Sequence, residues 1–145
     1  MAAPTYTWQY VTNLFGISDA PVVTALEATT NLETKVGTLL IMASGQVDEA
    51  TASVVLPIGL AAEVIDVAAT AADPVKVQLL RPGDVIKGTS DADASTASGF
   101  SGKTFDLNTD GSMDYADSTN GCLSVWRTED SGLTVYCTVS KLAAF

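Results

Sequence analysis

Val75-Lys76-Val77-Gln78-Leu79-Leu80-Arg81-Pro82-Gly83-Asp84-Val85-Ile86-Lys87 is the stretch on which the fold class turns. Apolar and polar side chains alternate through its first half, so Val75, Val77 and Leu79 share one face of an extended strand. Arg81-Pro82-Gly83-Asp84 has the Pro-Gly order of a type II turn, with proline presetting φ at the second position and glycine taking the positive φ of the third. Val85-Ile86-Lys87 then resumes, and the stretch is expected to form a β-hairpin.

The same grammar continues on both sides. Upstream, Thr38-Leu39-Leu40-Ile41-Met42-Ala43 is an apolar run closed by Ser44-Gly45, with Gln46-Val47 after the turn, and this predicts a second hairpin. Ser53-Val54-Val55-Leu56 is a further strand candidate, and Pro57 ahead of Ile58-Gly59-Leu60 marks a strand end or bulge, since proline gives no N–H to a ladder. Apolar, β-branched character resumes from Leu60 to Val67. Downstream, residues 88–102 (GTSDADASTASGFSG) read as a mobile surface loop with Phe100 as its anchor. Lys103 to Leu107, a turn at Asn108-Thr109-Asp110-Gly111, and Ser112 to Tyr115 follow, and the chain ends in the pair Cys122 to Arg127 and Leu133 to Lys141. With Glu129-Asp130 at the centre of that last turn, Cys122 falls opposite Cys137 and Trp126 opposite Leu133, placing these and Val135 on the core face. Residues 20–35 (APVVTALEATTNLETK) are expected to hold at most one short helix.

Short strands with turns at about ten-residue spacing predict an all-β fold, a small barrel or sandwich. At 145 residues the chain has the size of one domain. It divides into an N-terminal arm over residues 1–16 and a single β domain over 17–145. The arm is aromatic and polar, reading as an arm or an edge strand. Tyr6, Trp8, Tyr10 and Phe15 are its candidate partner-binding residues, and their alternative role is to cap the domain's own core.

Composition excludes more than it names. Seven Lys and Arg against seventeen Asp and Glu give a net charge of −10, a field that repels phosphate backbones and anionic lipids. Nucleic acid and membrane surfaces are therefore not expected partners. The first residues lack the basic segment and apolar run of a secretory signal, and no apolar stretch approaches the ~20 residues of a spanning helix. Histidine is absent, which removes the side chain most used for proton transfer near neutrality and every Ser-His or Cys-His dyad. No enzyme activity is expected.

Three constellations could still carry chemistry. Asp106, Asn108, Asp110, Asp114 and Asp117 fall at positions 1, 3, 5, 9 and 12 of a run with Gly111 at position 6, spacing that resembles an EF-hand calcium loop. Asp117 stands where the longer glutamate belongs, and the flanks do not read as helices, so only a calcium loop of another kind would fit. The alternative is an Asp-Gly hairpin turn whose aspartates face solvent. Cys122 and Cys137 read as buried thiols in preference to a cross-strand disulfide, and they offer too few ligands for zinc. Paired carboxylates such as Asp91/Asp93 sit in polar turns without apolar walls to raise one pKa.

Residues 35–47 (KVGTLLIMASGQV), 57–61 (PIGLA), 77–85 (VQLLRPGDV) and 111–121 (GSMDYADSTNG) together resemble the capsid decoration, or cement, proteins of tailed bacteriophages. The resemblance implies a β-barrel or β-tulip-like domain that binds the outer surface of an expanded capsid, commonly as a homotrimer and in some cases as a dimer. It further implies the major capsid protein and sister subunits as partners, a place on the virion exterior after assembly in the host cytoplasm, and no cofactor. A calcium-dependent module for carbohydrate or a cell surface is the alternative that the Asp106 pattern supports.

Overall fold

The computed structural model describes residues 3–17, 20–50, 57–66, 68–70, 72–119 and 121–139. The fold is all-β, with antiparallel sheets packed as a sandwich and no closed barrel. In chain order the strands are β1 (Gln9–Asn13), β2 (Val22–Glu27), β3 (Leu39–Ala43), β4 (Gln46–Glu49), β5 (Pro57–Ala61), β6 (Pro74–Leu79), β7 (Asp84–Thr89), β8 (Asp106–Leu107), β9 (Met113–Asp114), β10 (Leu123–Glu129) and β11 (Thr134–Val139). A four-stranded sheet runs β1-β7-β11-β10, a five-stranded sheet runs β2-β6-β5-β3-β4, and β8 pairs with β9.

The two expected hairpins have different fates, and turn geometry explains why. Ser44 and Gly45 both hold positive φ, 51° and 81°, the two-residue geometry whose twist matches that of paired strands, and β3 pairs with β4 from Ala43↔Gln46 onward. Pro82 and Gly83 do make the expected reversal, with Gly83 at φ 82° and the Asp84 N–H donating to the Arg81 carbonyl at 3.1 Å. Yet β6 and β7 do not pair. β6 lies between β2 and β5 in one sheet, and β7 lies between β1 and β11 in the other. Type II turns splay the strands they join, and here the splay carries the chain around a corner between sheets. The predicted hairpin is corrected to a sandwich crossing.

Residues 20–35 contain β2 and no helix, because Val22, Val23 and Thr24 are stiff at χ1 and fit a pleated strand better than a helical turn. Pro57 opens β5 beside a register shift, where a missing N–H is tolerated. β5 ends at Ala61, and beyond it Ile65 makes an isolated bridge to Thr34. The candidate strand at residues 53–56 lies outside the described residues.

Two buried clusters result. One, between the sheets, holds Trp8, Leu39, Leu60, Ile86, Phe105, Met113, Leu123, Val125, Val135 and Cys137. The other fills the hollow of the five-stranded sheet with Leu40, Val47, Ile58, Val75 and Val77, covered by Ala28, Leu32 and Ala69. β3 serves both: Leu39 and Ile41 meet the first cluster, Leu40 and Met42 the second, as strict alternation requires.

The closing hairpin forms with its register displaced. Val125, not Cys122, lies opposite Cys137, and a bulge falls between Val125 and Arg127. Leu133 stands 46% exposed beside the 3₁₀ turn at Asp130–Gly132, and Trp126 is half-buried, so neither joins the core as expected. Gly88 and Thr89 belong to β7 and not to the loop. The rest of that segment is tied down by Ala94 and Ala97, both buried, and by the Gly99 and Phe100 N–H groups donating to the carbonyls of Trp126 and Val125. The Phe100 ring, 41% exposed, is not the anchor.

Candidate functional site

The N-terminal segment divides sharply. Its first part crosses the end of the sandwich as a fixed strap: the Tyr6 N–H donates to the Asp110 carbonyl and the Trp8 N–H to the Gly37 carbonyl, each at 2.8 Å. Trp8 is 3% exposed, and its indole Nε1–H donates to the Gly111 carbonyl at 2.8 Å. The ring lies over Gly88, where any Cβ would overlap it, so β7 carries glycine at that point. Of the two readings of the arm's aromatics, Trp8 therefore takes the core role, and its place among partner-binding residues is corrected. A large apolar ring whose one polar group has a carbonyl partner is stable inside.

From Gln9 the segment becomes β1, the edge of the four-stranded sheet, with a bulge between Tyr10 and Thr12. Its far end is pinned by a buried polar node. Asn13 donates from Nδ2 to Asp84 Oδ1 at 2.9 Å and to the Pro82 carbonyl at 3.1 Å, while its Oδ1 accepts the Phe15 N–H at 2.8 Å. The Asp84 carboxylate also accepts the Arg81 N–H at 2.7 Å and, from the guanidinium, Nε–H at 3.1 Å and Nη2–H at 3.1 Å. That carboxylate holds the Arg81 pKa above its ordinary value, with the Tyr10 hydroxyl a lesser contributor. The node ties together the two places where the chain changes sheet, after β1 and before β7. Buried ionic groups are tolerated when so fully bonded.

Beyond this node the side chains face water. Val11 (39%), Leu14 (40%), Phe15 (72%) and Ile17 (50%) are exposed within seven residues, and Tyr6 is 40% exposed on the strap. Phe15 rests its ring against Gly83, which leaves the other face of the ring open. Across the open side of the sandwich stand Val22 (54%) and Val36 (61%), and a groove of about 320 Å³ runs between them and Gln9-Tyr10, floored by Leu60 and Ala61. No Asp, Glu, Lys or Arg occurs in the first eighteen residues. Of the sequence candidates, Tyr6 and Phe15 are on this surface and Tyr10 is half-buried beside it. Val11, Leu14, Ile17, Val22 and Val36 were missed; the stretch without charge was the readable signal, outshone by the aromatics.

The Asp106 pattern forms a hairpin, with Asp106↔Asp114 and Leu107↔Met113 in register. Its carboxylates turn toward local donors. Asp106 is buried and accepts the Gly121 N–H at 2.6 Å. Asp110 accepts the Ser112 N–H at 3.0 Å and hydroxyl at 2.6 Å, Asp114 the Ala116 N–H at 3.1 Å, and Asp117 the Thr119 N–H at 2.9 Å and hydroxyl at 2.7 Å. The Thr119 bonds hold the Asp117 pKa below its usual value. Asn108 donates to Asp91 Oδ2 and Ser112 Oγ, each at 3.0 Å. Among the described residues, no three Asp, Glu or Cys side chains converge as a metal site would require.

Cys122 and Cys137 are free and buried. Burial, with the Asp106 charge nearby, pushes the Cys122 thiol up to about 12, and burial pushes Cys137 up as well. Neither is a thiolate at neutral pH, so neither is a nucleophile as folded. Among the described residues, no helix is long and apolar enough to cross a membrane. The chain matches no known family model, no curated protein and no solved structure.

Proposed function

We propose that this chain is a structural subunit without catalytic activity, which binds the outer surface of a phage capsid and stabilises contacts between major capsid subunits. The observation that carries the reading is the uncharged apolar strip along the β1 edge of a chain with net charge −10. A soluble domain protects an exposed edge with charge, and one that leaves it apolar has a surface to cover. The likeness of residues 35–47, 57–61, 77–85 and 111–121 to capsid cement proteins supplies the kind of surface. Many weak contacts repeated over a shell add to a large stabilisation without any reacting group.

Cosedimentation of the purified chain with the expanded capsids of its phage tests the reading. Bound chain at saturating stoichiometry, and greater heat resistance of decorated capsids than bare ones, are expected. Absence of binding at any concentration would sink it.

A further inference from the structure

We propose that the cleft between residues 102–105 and 115–118 binds a neutral saccharide without a metal ion, as a site separate from the β1 edge. The cleft holds about 460 Å³ and is walled, among the described residues, by Gly102 to Phe105 on one side and by Tyr115, Ala116 and Ser118 on the other. That volume lies within the roughly 300–1,000 Å³ of small-molecule sites and suits a mono- or disaccharide. Both walls are fixed by backbone bonds. The Phe105 N–H donates to the Leu123 carbonyl at 2.8 Å, the Leu123 N–H donates back at 3.0 Å, and the Asp106 N–H donates to the Asp117 carbonyl at 2.9 Å.

A sugar ring presents apolar C–H faces and a rim of hydroxyls that donate and accept, so its site needs a held aromatic ring beside unspent polar groups. Tyr115 is that ring. It stacks on Phe105 with centroids 5.1 Å apart and planes at 18°, and its hydroxyl shares a hydrogen bond of 2.9 Å with Thr96 Oγ1, so it is oriented before a ligand arrives. The unspent groups are those of Lys103 and Thr104, which among the described residues make no hydrogen bond through backbone or side chain. Charge narrows the ligand further. Asp106, Asp114 and Asp117 belong to or adjoin the walls, yet none lines the cleft, and their carboxylates accept the N–H groups of Gly121, Ala116 and Thr119. A cation would meet no carboxylate there, and an anion would meet one lysine on a chain of net charge −10. A neutral, polyhydroxylated ligand fits both conditions.

Proton–nitrogen correlation spectra of the full chain, titrated in EDTA with maltose, cellobiose, lactose and diacetylchitobiose, test this. Saturable shifts at the amides of residues 102–105 and 115–118 are expected with at least one sugar, at a dissociation constant of about 1 mM. Tyr115→Ala is expected to weaken that binding at least about tenfold. Ala116→Trp fills the cleft from an exposed position and is expected to abolish the shifts. Circular dichroism checks that both variants fold, and should Tyr115→Ala fail to, Ala116→Trp decides. Silence from all four sugars at about 10 mM, shifts confined to other residues, an Ala116→Trp chain that binds as the parent does, or binding that appears only with calcium would each overturn the site. So would inorganic sulfate that shifts the same amides more strongly than any sugar. The cleft and the β1 strip share no residue, so Ala116→Trp is expected to cosediment with capsids as the parent does, and its failure to do so would overturn the separateness of the two sites. A parent chain that ignores sugars but binds capsids would overturn the saccharide site and leave the capsid reading standing.

Discussion

The hairpin over residues 106–117 and the edge over residues 9–17 are opposites in both sequence and structure. The hairpin segment carries four aspartates, and each has turned its oxygens onto a nearby N–H or hydroxyl. The edge carries no charge, and its apolar side chains point at water. Conspicuous residues are thus already satisfied within the fold, whereas inconspicuous ones are left to be covered. A polar group bonded internally has little to gain from a ligand, while apolar surface held in water gains roughly 25 cal/mol for each Å² that a partner covers.

The contrast can be broken first at the strap. Trp8 belongs to the same segment as the edge but is buried, so Trp8→Ala is expected to lower stability by about 3–5 kcal/mol in urea unfolding. A loss under about 1 kcal/mol would return Trp8 to the surface and extend the binding strip. Asp84→Ala strips the node of its carboxylate, leaving the Asn13 amide and the Arg81 guanidinium short of an acceptor, and is expected to cost about 3 kcal/mol. Asp110→Ala removes two acceptor bonds from the exposed hairpin tip and is expected to cost about 1 kcal/mol in urea unfolding.

The smallest effect is expected at Glu49, on β4 and remote from both regions. Burial, then the neighbouring Asp48 charge, raises its pKa, so the fold prefers the protonated form. Its contribution to stability is full below the unfolded value of 4.5 and is lost as pH rises through the folded value. Glu49→Gln is accordingly expected to raise the urea midpoint at pH 7 and to leave it unchanged in acid below 4.5.

Local geometry was legible in the sequence and partner choice was not. Ser44-Gly45 announced a hairpin because the turn alone decides that pairing. Val75 to Asp84 announced a strand and a turn correctly, but the two strands it joins found partners far along the chain, at β2 and β5 and at β1 and β11. One signal was available: Pro82 fixes φ near −65°, which bars both of the favoured two-residue hairpin turns. Residues 20–35, which allowed at most one short helix, hold none: Val22, Val23 and Thr24 favour a strand, and β2 pairs with β6, a partner that local propensity does not reveal. In the candidate site, aromatic residues drew attention equally, though burial separates Trp8 from Phe15 completely. That separation depends on Gly88 lying against the Trp8 ring from eighty residues further along the chain, a contact no window of sequence contains.

Cosedimentation with capsids, run side by side on Phe15→Asp and Asp110→Ala, tests most directly which region does the binding. Phe15→Asp introduces a charge into the apolar strip and is expected to weaken capsid binding at least about tenfold. Asp110→Ala is expected to bind as the parent does. Loss of binding in Asp110→Ala with full binding in Phe15→Asp would contradict the account and move the site to the hairpin.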